Sequence, residues 1–161
     1  MTVFLGGKDA FSFAFTEYTD TVFRIAVHNT DCTADAEDIT QEAFTKLLQS
    51  QKIFRDGEHI KAWLIRVTLN LCTDERRKKS RLSISDEPIP ESTADIGGSV
   101  LEYVKALPAN YRNAIYLHYY EGYTAKEIAK LLGSKESTVL SWLSRGRAAL
   151  RNEMIGGFDD E

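Results

Sequence analysis

Residues 123–154, YTAKEIAKLLGSKESTVLSWLSRGRAALRNEM, read as two helices joined by a tight turn. The first is predicted over Thr124 to Leu132. Its apolar residues Ala125, Ile128, Ala129 and Leu132 fall at i, i+3, i+4 and i+7, the spacing of one buried helical face. Thr124 and Glu127 form a T-x-x-E capping box at its start. Gly133 stands just past its end, where a left-handed residue is needed. Ser134 is the expected cap of the second helix, whose buried row is Val139, Leu143, Gly146 and Leu150. Thr138, Ser141, Trp142 and Arg145 line the opposite face, followed by Arg147 and Arg151. A short helix, a glycine turn and a second helix with polar and basic residues outward is the pattern of a DNA-binding helix-turn-helix. Taken alone, the pattern also fits a packing hairpin with a solvated charged face.

The totals narrow the choice. A chain of 161 residues holds one domain or two small ones. A net charge of −4 argues against a non-specific nucleic-acid coat. The charge is uneven, however. Residues 76–81, RRKKSR, carry five basic side chains in six positions, and residues 86–95 carry four acids and no base. Two cysteines, Cys32 and Cys72, without a CxxC pair, read as reduced thiols in a cytoplasmic protein. His28 and Cys32 are four apart, but no second pair of metal ligands follows, so no metal is expected. Neither a GxxxxGK[ST] phosphate loop, a GxSxG elbow nor an HExxH motif is present; neither a cofactor nor an enzymatic activity is expected. The start, MTVFLGGKDAF, lacks the apolar core of a signal peptide, and no apolar run nears membrane-spanning length, so no membrane insertion is expected.

Upstream, residues 9–29 carry Phe11, Phe15, Tyr18, Val22, Ile25 and Ala26 at helical spacing. A second helix, about 34–50, has the apolar row Ala36, Ile39, Ala43, Phe44, Leu47 and Leu48. Asp35, Asp38, Gln41, Glu42 and Thr45 face outward. Acids in its first turn suit the helix dipole, so they need no partner to explain them. A loop follows at 51–58, around Asp56-Gly57. A long helix, about 58–79, buries Ile60, Trp63, Leu64, Val67 and Leu71, with Arg66, Asn70, Asp74 and Arg77 in one polar row. It emerges into RRKKSR, more basic than helix capping requires and suited to phosphate. Residues 82–98, with Pro88, Pro90, Gly97 and Gly98, form an acidic linker. Beyond it lie a helix around Ser99–Leu107 and another opened by Pro108 and running to about Glu121, with Tyr111, Ile115 and Tyr119 on one face. Strand-type alternation is absent. The expected fold is all-α: two small helical domains, 1–81 and 99–161, of about four helices each.

With both halves in view, the chain resembles a bacterial RNA polymerase sigma factor of the sigma-70 family, in its small extracytoplasmic-function (ECF) group. The motifs that carry the resemblance are DAEDITQEAF, AWLIRVTLNLCTDERRK and LPANYRNAIYLHYYEGYTAKEIAKLLGSKESTVLSWLSRGRAALR, in this order and over roughly residues 10–153. The resemblance implies that the first domain binds core RNA polymerase, Asp35, Asp38, Gln41 and Glu42 meeting the beta-prime clamp helices. It implies that Arg66, Asn70, Asp74, Arg76, Arg77 and Lys78 serve recognition and melting of the minus-ten element, and that loop 51–58 selects a flipped base. It assigns reading of the minus-thirty-five element to Lys126, Lys135, Glu136, Ser137, Thr138, Ser141, Trp142 and Arg145. The helices around Leu101–Tyr120 would dock on the beta flap. Asp86, Glu87, Glu91 and Asp95 would thread toward the basic RNA path of the polymerase, although a solvated tether also fits them. An anti-sigma factor is the implied regulator.

The chain departs from the family at Leu140 and Trp142, where many members carry basic residues. Leu140 is free to pack on another surface; Trp142 is free to meet thymine methyls or stack on sugar. Two other readings stand beside the polymerase subunit. A stand-alone regulator needs a ligand pocket or phosphoacceptor, and residues 1–80 show neither motif. A metal-dependent nuclease built on Asp35, Glu37, Asp38 and Glu42 needs convergent carboxylates, whereas neighbouring helical positions diverge.

Overall fold

The computed structural model describes residues 5–82 and 100–159, with side chains over 6–81 and 102–152. The chain divides into two compact units between Ser92 and Thr93. Positions 83–98 of the acidic linker, including Asp86, Glu87, Glu91 and Asp95, lie outside the described residues. Among the described residues, no helix is long and apolar enough to cross a membrane.

Among the described residues, the first unit has three helices: α1 (Gly7–His28), α2 (Thr33–Gln49) and α3 (Gly57–Leu82). The expectation of four is corrected here. Nothing between Lys8 and His28 breaks a helix, so α1 runs unbroken for 22 residues. A two-residue antiparallel pair joins β1 (Leu5–Gly6) to β2 (Ile53–Phe54), a detail too short to leave an alternation in the sequence. The core gathers Val22, Phe44, Leu47, Phe54, Ile60 and Leu64 around the fully buried alanines Ala10, Ala14 and Ala43.

Those alanines alter the predicted face of α1. Ala10 and Ala14 occupy the seam, while Phe15 is 54 % exposed and Phe11 is half-buried. The rings of Phe11 and Phe15 stack at 5.7 Å and meet Phe44 edge-on from the rim. On α2 the neighbours Leu47 and Leu48 cannot share one face; Leu47 is buried and Leu48 exposed. Thr40 and Thr68 are buried where no apolar residue was expected. Each hydroxyl donates to the carbonyl four residues back, Ala36 at 2.8 Å and Leu64 at 2.7 Å, which removes the cost of burying it.

The second unit contains α4 (Val100–Ala106), α5 (Ala109–Ile115), α6 (Ala125–Leu132) and α7 (Glu136–Asp159). Pro108 precedes α5 in the N-cap position, one residue earlier than a first-turn proline. The predicted helix to Glu121 changes its winding: residues Tyr116–Tyr120 form a π-helical turn. The wider turn leaves Tyr116 and Leu117 inside and puts Tyr119 and Tyr120 outside, so Tyr119 does not share the buried face of Ile115. Arg112 is buried, and its guanidinium Nη1 donates to the Lys105 carbonyl at 3.2 Å and the Leu107 carbonyl at 3.0 Å, closing the turn between α4 and α5.

The helix-turn-helix forms as its caps require. The Thr124 hydroxyl accepts from the Glu127 amide at 3.1 Å, and the Glu127 carboxylate accepts from the Thr124 amide at 3.1 Å. Gly133 takes φ +65°, and the Ser134 amide donates to Ala129 at 2.9 Å. Two details differ from expectation. Leu131, three residues after Ile128, is buried, and Leu132 is only half-buried. The first carbonyl to accept within α7 is that of Lys135, from Val139 at 3.1 Å, so the cap position is Lys135 rather than Ser134.

Candidate polymerase and DNA interfaces

On α2 the buried row Ala36, Ile39, Ala43 and Leu47 forces the residues between it outward. Asp38, Gln41 and Glu42 are exposed. Asp35 differs. It is half-buried and forms an ion pair with Lys79 of α3, whose ammonium lies 3.4 Å from Asp31 as well. The hydrogen bond from Lys79 is the main reason that the Asp35 carboxyl is held below the usual carboxylate range. The same bond raises the Lys79 ammonium above its ordinary value. Lys79 belongs to the RRKKSR run, so one of its five cations is already neutralised inside the unit. Sequence reasoning missed this pair, because the partners are 44 residues apart.

The predicted polar face of α3 is laid out in full. Arg66, Asn70, Asp74, Arg76, Arg77 and Lys78 are all exposed. An open groove between α2 and α3 brings together Glu42 with Asp74, Arg77 and Lys78, over a floor of Ile39 and Leu71. Arg66 and Asn70 do not line it; they stand one to two turns earlier on α3. The groove thus joins one residue expected to meet protein with three expected to meet DNA.

The loop before α3 is pinned at its base. Phe54 is buried and packs edge-on against His59 at 5.1 Å and Trp63 at 5.8 Å. The Asp56 carboxylate accepts from the His59 amide at 2.8 Å, the N-cap bond of α3. A Cβ on Gly57 would lie 2.8 Å from the Phe13 ring and 2.9 Å from the Tyr18 hydroxyl, so this glycine serves close approach. Ile53, its neighbour beyond Phe54, is 68 % exposed at the loop surface. His28, one of the two weighed metal ligands, shares a 2.6 Å hydrogen bond between its Nδ1 and the Arg24 carbonyl.

In the second unit Lys126, Lys135, Glu136, Ser137, Ser141 and Arg145 are exposed; Thr138 and Trp142 are half-buried. Leu140, by contrast, is 52 % exposed. The packing freedom allowed to it from the sequence is not used within its own unit, while Trp142 is half-buried. Arg147 donates to the Tyr119 hydroxyl at 2.8 Å, which holds this cation toward the π-helical turn.

A family model described as Sigma-70 region 2 matches residues 14–82, and one described as Sigma-70, region 4 matches residues 98–150. Among similar proteins, the ECF RNA polymerase sigma factor SigM of Bacillus subtilis is 30 % identical over 155 residues, which cover 89 % of this chain and 94 % of that protein. A probable RNA polymerase sigma factor, RfaY, of Xanthomonas campestris is 32 % identical, and the ECF RNA polymerase sigma factor SigE of Mycolicibacterium smegmatis is 31 % identical. The matches cover 96 % and 84 % of this chain, which spans only 42 % and 58 % of those two proteins. Two solved structures share the fold. One is the sigma factor RpoE in complex with the anti-sigma factor NepR from Bartonella quintana, with a TM-score of 0.69 at 22 % identity, covering 91 % of this chain and 96 % of that one. The other is CnrH in complex with the cytosolic domain of CnrY, with a TM-score of 0.64 at 20 % identity, covering 94 % and 91 %.

Proposed function

The chain belongs to the sigma-70 family of RNA polymerase sigma factors, in its ECF group, and on that premise we propose that it binds core RNA polymerase and directs initiation at specific promoters. It performs no catalytic step of its own and works in the cytoplasm, where the polymerase and the promoters are. Residues 1–81 act as the polymerase-binding and minus-ten unit, 82–98 as a linker, and 99–161 as the minus-thirty-five and beta-flap unit.

The observation that carries this reading is the exposure of most of the predicted contact residues in both units, Asp35, Thr138 and Trp142 being half-buried. Asp38, Gln41 and Glu42 stand free on α2 to meet the beta-prime clamp helices, with Asp35 tied back by Lys79 at the edge of the same surface. Rim charges of this kind set association rate and register, and apolar neighbours carry more of the affinity. Along α3, Arg66, Asn70, Asp74, Arg76, Arg77 and Lys78 line a path for the minus-ten element. Opening it costs about 1–2 kcal/mol per base-pair step, which a held unstacked base and a basic surface for the displaced strand can offset. Lys135, Glu136, Ser137, Ser141 and Arg145 supply base and phosphate contacts in the major groove, the half-buried Thr138 and Trp142 border it from one flank, and Lys126 touches backbone phosphate. Free DNA is bound weakly, because each half-site is small and the net charge is −4.

An anti-sigma factor holds the protein inactive by masking these faces. Support comes from the structural relative RpoE, crystallised with the anti-sigma factor NepR. The test of polymerase binding is co-purification with core enzyme. The double variant Asp38→Lys with Glu42→Lys, both at exposed positions, should lose core enzyme while keeping its helical circular dichroism. Undiminished association of this variant would remove α2 from the polymerase contact.

A further inference from the structure

We infer that Leu140 is a specificity-determining residue that selects a thymine through its C5 methyl in the upstream promoter element; the inference rests on the proposed role of α7 as a groove-entering helix. Leu140 is the fifth residue of α7, within the N-terminal turns that approach base edges in a helix-turn-helix. It is 52 % exposed, although leucine gains by burial. Its exposed neighbours on the helix are polar: Glu136 one turn before it, and three short serines. Ser137 and Ser144 lie three residues before and four after it, Ser141 lies next to it, and all three are exposed. Short hydroxyl side chains let the helix come close to the base pairs and leave the leucine as an apolar group that can reach a base edge.

The chemistry of the groove then fixes the preference. The thymine methyl is the one apolar group that a base pair presents in the major groove. Leucine offers neither a donor nor an acceptor, so it cannot choose guanine or adenine by hydrogen bonding. It can cover a methyl group and exclude water from it. Trp142 is not in this position. Two residues on, it is turned by about 200° around the helix and is half-buried on the other flank, beside Thr138. Single exposed apolar side chains are ordinary on protein surfaces. The exposed tyrosines Tyr119 and Tyr120 of the same unit, however, stand on the π-helical turn, whereas Leu140 stands on the helix that carries the proposed base contacts.

The test uses holoenzyme assembled from core RNA polymerase and the full chain. Promoters are first selected by run-off transcription from duplexes randomised in the upstream element. Each thymine of that element in a selected promoter is then replaced by deoxyuridine, which keeps base pairing and removes only the methyl group. We expect transcript to fall about fourfold at one or two positions, the worth of burying one methyl. Leu140→Ala, a surface change whose folding is checked by circular dichroism, should transcribe less from the thymine template and be indifferent to deoxyuridine at those positions. Equal transcription from every deoxyuridine template, or an undiminished penalty in Leu140→Ala, would overturn the inference and leave the sigma-factor reading standing. Absence of any protein-dependent transcript during selection would instead overturn both.

Discussion

Lys79, near the end of α3, closes onto Asp35 in the first turn of α2 and so ties together the two helices that carry the proposed contacts of the first unit. Both side chains keep access to water, 42 % for Lys79 and 22 % for Asp35, so the pair is a surface ion pair in energetic terms. A double-mutant cycle of Asp35→Asn and Lys79→Gln, read by urea unfolding at neutral pH, should give a coupling of about 0.2–1 kcal/mol. The lowered Asp35 value fixes the sign on the acid side. The contribution is present above the unfolded carboxylate range, about pH 4, and is lost as pH falls through the lower folded value. The raised Lys79 value means loss at the alkaline end, as pH rises through the folded value.

The same pair separates the cations of RRKKSR by function. Arg77 and Lys78 are exposed in the groove beside α2, whereas Lys79 is already matched by Asp31 and Asp35. Arg77→Gln should reduce the salt slope of holoenzyme binding to promoter DNA by about one, and Lys79→Gln should leave it nearly unchanged. Titration of binding against salt concentration for the two variants makes the comparison.

Asn70 is exposed on α3, one turn after Arg66 and one before Asp74. Its amide can donate and accept together, which suits an unstacked base better than a phosphate. Asn70→Ala should cut strand opening, read by permanganate reactivity of promoter thymines, about tenfold or more, while core-enzyme binding stays within about twofold. Equal loss of both would place Asn70 outside the opening step.

Gly146 faces Ile115 across α5 and α7 so closely that a Cβ would lie 2.4 Å from the isoleucine Cδ1. Gly146→Ala gains helix propensity but overpacks a buried seam, and it should destabilise the second unit by about 1–3 kcal/mol. Ile115→Val removes the clashing methyl. Thermal unfolding should show the double variant recovering part of the loss that Gly146→Ala suffers alone.

The Tyr18 hydroxyl is pushed up to about 12, first by burial, then by the charges of Glu58, Glu17 and Asp56. A neutral phenol is therefore favoured in the folded state. That stability is fully present below about pH 10, the ordinary tyrosine value, and fades as pH rises toward the folded value. Tyr18→Phe cannot ionise, so its unfolding midpoint should fall less steeply above pH 10 than that of the wild type.

Much of this architecture is written locally, and the exceptions are instructive. The Thr124–Glu127 capping box, the left-handed Gly133 and the buried row Val139, Leu143 and Gly146 each depend on neighbours within a turn or two, so spacing alone reveals them. Which of two adjacent apolar residues faces the core depends on the partner helix. Spacing alone therefore puts Leu48 in the buried row beside Leu47 and chooses Leu132 over Leu131, and the packing corrects both. The alanine seam of α1 was hidden for a related reason: the larger Phe11 and Phe15 look like core residues, yet helices that approach closely leave room only for Ala10 and Ala14. Of the candidate contacts, the exposure of Arg66, Asn70, Asp74 and Arg77 on α3 was legible because it follows from amphipathic spacing, whereas the roles assigned to them rest on the family resemblance. The Asp35–Lys79 pair and the exposed Leu140 beside a half-buried Trp142 were not legible, since both depend on tertiary surroundings.

The most direct measurement is run-off transcription on a genomic-fragment library with core RNA polymerase, with and without this protein. The account predicts discrete starts that appear only when the protein is added, preceded at a fixed spacing by two shared sequence elements. An unchanged transcript pattern, together with failure to co-purify with core enzyme, would contradict it.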